Sequence, residues 1–422
     1  MTLFLVLMLL LSGCDSITSF LNTPTPTPSA ATIEPPAAAL EQTPTPRSPD
    51  NLIVWVDPLF APDPETESGQ LFLDRLDAFE NANPGITVTV RVKARTGLAG
   101  MLETLSNVSI AAPTLTPDLV ILNPDLLQLA HIRGLVHSLD GMYEAPSTPD
   151  WYSFAVKSSL DESTFVSVPV GAEAQAFAYR SDRFLQKPTS WSDILEGSAP
   201  VIIPAADPEA LLTLSLYEAS GGNFLDEEEA PTLQDPILTE VLSLYAGARA
   251  SGLMPASVLD LSSSEETWSI LHEGRAGIAL APLTSFINEH NPDTEEMIPI
   301  PVAATTSLTI AETWGWAVTT DDTSRRALVT ELLAWLSAPE FTGPWTESIG
   351  LLPASRPGLD SWKNGDNIAL ANLLIPSARS IIPLETRETF GTTLQSALQS
   401  VIDGTSTADS AARDAAIEIN TP

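Results

Sequence analysis

Between Asn51 and Gly134 the chain alternates apolar runs of strand length with stretches of helical spacing, and that order constrains the fold more than any other feature. Leu52-Ile53-Val54-Trp55-Val56 has no polar member, as a strand buried on both faces requires. Gln70 to Asn83 carries Leu73, Leu76 and Phe79 at helical spacing and stops at Asn83-Pro84-Gly85, three residues that disfavour helix continuation. Ile86, Val88, Val90 and Val92 then alternate with Thr87, Thr89 and Arg91, the period of a strand with one covered face. A short helical segment, Leu98 to Leu105, leads to a second buried strand, Asp118 to Leu122. A helix from Asp125 to Ile132 follows and ends at Gly134. Strand, helix, strand, helix, strand in this order predicts a doubly wound α/β layer, with ligands met at the carboxyl ends of its strands.

The theme returns downstream. Phe165 to Val170, Ala176 to Tyr179, Val201 to Ile203, Gly277 to Ala281, Ile298 to Val302 and Trp314 to Thr319 read as strands. Helices are predicted over Pro208–Glu218, 236–250, Glu266–Glu273, Ser324–Leu336, Ile368–Leu374 and Thr386–Ile402. The ordered part, 51 to 422, is long enough for two domains at about 150 residues each. No sequence period repeats, which excludes solenoids and propellers.

The residues before Asn51 are of another kind. An apolar stretch from Leu3 to Leu11 is too short to span a bilayer as a helix, which takes about 20 residues. Its length fits the apolar region of a signal peptide. It runs into Leu11-Ser12-Gly13-Cys14, which resembles the lipobox of a bacterial lipoprotein. That resemblance implies cleavage before Cys14, a lipid on its thiol, and a body held outside the cytoplasmic membrane. A plain secretory signal is the alternative. Segment 1–13 is thus expected as the signal and 14–50 as lipidated cysteine plus tether. Thr23-Pro24-Thr25-Pro26-Thr27-Pro28 and Thr43-Pro44-Thr45-Pro46 favour extended polyproline II over a packed core.

Charge and motif content remove whole classes of function. With 19 basic and 54 acidic residues the net charge is −35, which repels phosphate backbones, so no nucleic-acid partner is expected. A single cysteine excludes intrachain disulfides and cysteine-based zinc clusters. His131, His137, His272 and His290 form no HExxH, and there is no Gly-x-Ser-x-Gly elbow and no P-loop. Glu227-Glu228-Glu229 lacks the ladder and central glycine of a calcium loop. No metal, cofactor or catalytic residue is predicted. Carboxylate pairs for glycoside hydrolysis stay open, because spacing in sequence does not report separation in space.

From Phe165 to Arg180 the chain reads FVSVPVGAEAQAFAYR, followed by Trp191-Ser192-Asp193-Ile194. This resembles the inter-lobe crossing of the extracellular solute-binding proteins of ABC importers, the maltose branch above all. Phe79 to Ile86, Pro117-Asp118-Leu119-Val120, Glu273 to Ile278, Trp314 to Val318 and Gly350 to Ser355 fit the same family in the same order. The resemblance implies a type II periplasmic-binding-protein-like fold, two doubly wound α/β lobes joined by a hinge, with a solute held between them. The lobes would be 51–170 with 301–322, and 171–300 with 323–422. It also implies delivery to ABC permease subunits by a non-catalytic, monomeric receptor whose cargo is a sugar or oligosaccharide. A lipid-anchored glycan hydrolase and a ligand-presenting sensor subunit are the alternatives. Departures from the maltose branch are Arg180 for asparagine, Pro208-Glu209 and Leu283-Thr284 where that branch has aromatics. They point to a different sugar, a polyol or a sugar derivative.

The site candidates follow. Glu173 matches an acidic sugar ligand of the family; a hinge-surface carboxylate is the plain alternative. Trp314 and Trp316 flank Gly315 on one face of a strand, where a glycine opening space beside two indoles suits a ligand platform, and core packing competes. Trp268 sits on a helix where core and site compete equally. Asp57 and Asn123 each follow a buried strand, at the switch-point position or as caps of the next turn. Trp55, Trp191 and Trp335 read as core. A stacked ring burying about 50 Å² contributes roughly 1 kcal/mol, while micromolar binding needs about 8 kcal/mol. Several hydrogen bonds must therefore be held in place as well.

Overall fold

The computed structural model describes residues 48 and 50–421, apart from positions 98, 148, 162, 304, 305 and 321. The apolar N-terminal run, Cys14 and the Pro/Thr tether lie outside the described residues.

β1 (Asn51–Val56) pairs in parallel with β2 (Thr87–Val92), Asn51 opposite Thr87 and Val56 opposite Val92, and with β3 (Leu119–Leu122) on its other side. Leu52, Val54 and Val56 enter one apolar cluster, Ile53 and Trp55 another on the opposite face, so the unbroken apolar run is used on both sides. α1 (Glu67–Ala82) starts where Thr66 accepts a bond from the Gly69 amide at 3.1 Å, and it buries Phe72, Leu76 and Phe79. α2 (Pro124–Ile132) is capped by Asn123 and ends at Gly134, whose φ of +67° favours a residue without Cβ.

β4 (Val168–Arg180) is one continuous strand where the sequence predicts two pieces. β5 (Val201–Ile202), α3 (Leu211–Ala219), α4 (Asp235–Ala250), α5 (Ser264–His272) and β6 (Ile278–Pro282) follow. α5 opens on a capping box between Ser263 and Glu266. β7 (Thr306–Val318) extends well upstream of the predicted Trp314–Thr319. α6 (Arg326–Leu336), α7 (Pro339–Ile349), α8 (Leu384–Asp403) and α9 (Ala408–Asn420) lie beyond it.

The sheet runs β2-β1-β3-β7-β4-β6-β5, and β3, β7, β4 and β6 are successively antiparallel. One core gathers β1, β3, α1, α6 and α7 around Phe60, Phe72, Trp314, Trp316 and Trp345. Another gathers β5, β6, α3, α4, α8 and α9 around Trp191, Tyr217, Tyr245 and Phe390. β4 and β7 serve both: Val168, Val170, Trp314 and Trp316 belong to the first, Phe177, Tyr179, Leu308 and Ile310 to the second. Val329, Leu333, Phe341 and Trp345 of α6 and α7 pack with Phe72, so a boundary at residue 323 would cut through a continuous core. No described helix is long and apolar enough to cross a membrane.

Candidate functional site

A cavity of about 220 Å³ opens at the carboxyl ends of the parallel strands. From the β2 end comes Arg95; from the end of β5, Asp207 and Glu209; from β6, Leu280 and Pro282. The first turns of α3 and α5 supply Leu211 and Ser264 with Glu265. Glu173 and Gln175 of β4 and Glu312 of β7 come from the two strands that run through both cores. None of the described lining residues is aromatic. A second cavity, about 320 Å³, lies against α2, where Pro124, Leu127, Leu160, Ile381, Pro383 and Leu384 share the lining with Asp125, Gln128, Lys157, Ser158 and Ser380. The acidic cavity is the better candidate, because it sits at the carboxyl ends of the strands and takes residues from the two strands that run through both cores.

The centre of the site is a pair of carboxylates in register. Glu173 and Glu312 stand directly opposite one another in the antiparallel β4–β7 ladder. Like charges so placed destabilise a sheet. Glu312 accepts from Asn123 Nδ2 at 2.7 Å. Its carboxyl is pushed up to about 7, first by burial and then by the Glu173 charge. Burial also raises Glu173, opposed by the Arg95 guanidinium. Thr284 Oγ1 donates weakly to Glu173 Oε1 at 3.4 Å. Burial raises Asp207 as well, against the amides of Leu211 and Glu209 that bond to it at 2.9 and 3.0 Å. Arg387, buried in α8, bonds both Glu209 and Asp125.

Arg95 links the cavity to the aromatic core. Its Nε donates to Asp57 Oδ2 at 3.3 Å, and its guanidinium lies 4.9 Å from the Trp314 ring centre. Trp314 is thus a neighbour of the cavity but is roofed by Arg95 and fully buried, packed edge-on against Phe60. Trp316 is deeper, parallel to Trp345 at 6.3 Å. Gly315 is small for a different reason than a platform needs: a Cβ there would meet Ser167 Oγ at 2.8 Å, so it permits close approach of β4 and β7. Trp268 is 2% exposed, donates to Glu289 at 2.7 Å and packs on Phe286, away from the cavity lining. Asp57 caps the turn Pro58–Phe60 and holds Arg95; Asn123 caps α2 and holds Glu312. Both therefore sit behind the lining. Of the sequence candidates, Glu173 alone lines the cavity.

Arg95, Asp207, Glu209, Glu265 and Glu312 were not among those candidates. Arg95 and Asp207 follow strands just as Asp57 and Asn123 do, so the same rule could have found them. Glu312 had a signal too: it is the one charged residue of β7, two residues before Trp314. Of the departures from the maltose branch, Glu209 and Thr284 lie at this site, whereas Arg180 bonds Asp182 outside the lining.

The family model of bacterial extracellular solute-binding proteins matches residues 74–365. No curated protein matches the chain. Among solved structures, a cyclic alpha-maltosyl-1,6-maltose binding protein from Arthrobacter globiformis aligns over 88% of this chain and 98% of its own, at TM-score 0.69 and 16% identity. Listeria monocytogenes ABC substrate-binding protein Lmo0181, in complex with cycloalternan, covers the same shares at 0.64 and 16%. Maltose-bound T. maritima MalE3 aligns over 88% and 99%, at 0.63 and 14%. Such likeness establishes the fold, the type II periplasmic-binding architecture predicted from the sequence.

Proposed function

Because the chain belongs to the bacterial extracellular solute-binding protein family, we propose that it captures a carbohydrate in the acidic cavity and hands it to the transmembrane subunits of an ABC permease. The observation that carries this reading is the Glu173–Glu312 pair, set on the two strands shared by both cores and backed by an acceptor-rich lining. Sugar hydroxyls are donors, and carboxylates fixed by Asn123 and Thr284 are acceptors of defined direction. Of the proteins of similar fold, one holds maltose, one holds cycloalternan and one is a cyclic alpha-maltosyl-1,6-maltose binding protein, which supports a sugar-like cargo. The family is one of binding proteins, so the hydrolase alternative is not favoured, and no reaction is assigned to the carboxylates.

In this reading β4 and β7 are the hinge, and the two cores are the lobes that close on the solute. Closure excludes water and strengthens every polar contact inside. Cys14 carries the lipid anchor, residues 14–50 are the spacer, and the receptor works as a monomer on the outer face of the cytoplasmic membrane. A thermal-shift screen of the full chain against mono- and oligosaccharides and polyols tests the cargo. A ligand at 100 times its dissociation constant adds about 2.7 kcal/mol of stability. A shift by a sugar recovered unchanged is the expected result; a consumed sugar, or no shift with any carbohydrate, defeats the reading. Separately, Cys14→Ser is expected to move the protein from the detergent phase to the aqueous phase, and a variant still partitioning into detergent refutes the anchor.

A further inference from the structure

We infer that the solute carries positive charge: a protonated amine on a polyhydroxylated frame, seated against the Glu173–Glu312 pair. This rests on the carbohydrate reading above and narrows it. Five lining residues are acidic, Glu173, Asp207, Glu209, Glu265 and Glu312, against the single base Arg95. Arg95 is already engaged by Asp57. Two things offset the acids. Arg387 bonds Glu209 from behind, and the N-termini of α3 and α5 each add roughly half a positive charge. Together they amount to about two positive charges, too few for five carboxylates.

The register pair localises the demand. Two carboxylates facing each other across adjacent strands repel, and the low-dielectric surroundings make the repulsion worse. The groups facing Glu312 are Glu173 from β4, Arg95 from beyond β2, and Asn123 and Asp125 at the start of α2. Among described residues only Asn123 donates a hydrogen bond to it, and that bond is to Oε1, leaving Oε2 without a protein donor. Among the described residues Glu173 has only the long contact from Thr284. An ammonium donates to several oxygens at once and cancels the repulsion that a neutral hydroxyl leaves in place.

The rest of the cavity says what bears that charge. No group of three or more His, Cys, Asp or Glu side chains among the described residues could hold a metal ion, so the acids are spread too widely for a bare cation. Ser262, Ser263, Ser264 and Gln175 line the remaining wall with neutral donors and acceptors, which suits hydroxyls. Among the described residues no lining aromatic offers a stacking face to a neutral sugar ring.

Paired probes test this by thermal shift and calorimetry on the full chain at pH 7.5. One set is glucosamine and 6-amino-6-deoxyglucose, each against its N-acetylated counterpart. Maltotriose and spermidine complete the panel. The expected result is a shift with the amines and at least a tenfold weaker effect with the acetylated partners. Glu312→Gln should weaken the amine at least tenfold while keeping the fold. A shift by acetylated or neutral sugars with none by their amines overturns the inference and leaves the carbohydrate reading intact. A shift by spermidine alone supports the charge and defeats the carbohydrate reading. No shift with any cationic probe, or a folded Glu312→Gln that binds as before, overturns the inference.

Discussion

β7 joins two regions of opposite character. At Trp314 and Trp316 it belongs to a core of stacked rings, where Phe72, Phe341, Trp316 and Trp345 lie within 6.5 Å of a neighbouring ring. Two residues earlier, at Glu312, it enters a cavity whose described lining has five carboxylates and no ring. Residue type alone would place the aromatics in the site and the acids on the surface. The molecule does the reverse, because α1, α6 and α7 all converge on the first half of the sheet and need large side chains to fill the space between them. Indoles packed there stabilise the frame; in the proposed reading the recognition groups are the acids that the frame holds apart from bulk water.

Removing an indole from that core should produce the larger effect. Trp316 is fully buried, and large-to-small changes at such positions cost about 3–5 kcal/mol. Trp316→Ala is therefore expected to lower the unfolding free energy by that amount in urea titration, with ligand affinity of the folded fraction unchanged. Its indole N–H has no hydrogen-bond partner among the described residues, so Trp316→Phe should cost distinctly less. A variant of unaltered stability that no longer binds ligand would erase the distinction between core and cavity.

That distinction was only partly legible beforehand. The fold was: the apolar run at Leu52–Val56 and the spacing of α1 specify burial and period directly, and the elements stand where those patterns place them. α9 went unread because its buried face, Ala408, Ala411, Ala412, Ala415 and Ala416, is built of the least conspicuous apolar residue, although the spacing is helical and Thr407 caps it. The site was harder. Alternation along a strand shows that Trp314 and Trp316 share a face, but not whether that face meets a helix or a cleft. That is decided by α6 and α7, which lie beyond the strand in sequence and return to pack on α1. Glu173 was readable from its place in the crossing, whereas its partner Glu312 depends on a register set by a bulge between Trp314 and Gly315.

The smaller effect separates the regions by pH. Glu312 has its carboxyl pushed up to about 7 from 4.5, and Glu173 and Asp207 are raised in the same direction, in each case chiefly by burial. A raised carboxylate keeps its proton in the folded state while the unfolded chain has lost it. Its contribution to stability is complete below about 4.5 and disappears as pH rises through about 7. For Glu312 the full swing is on the order of 3 kcal/mol. The exposed carboxylates whose values are lowered, such as Asp193 and Asp322, titrate below this window and do not oppose it. Ligand-free protein should therefore be more stable at pH 5.5 than at pH 8, and Glu312→Gln should flatten most of that slope. Trp316→Ala should lower the whole curve without changing its slope, since no titratable group is removed. An unaltered slope in Glu312→Gln would mean that the like-charged pair is relieved without a ligand, and the cavity would then be no more demanding than the surface around it.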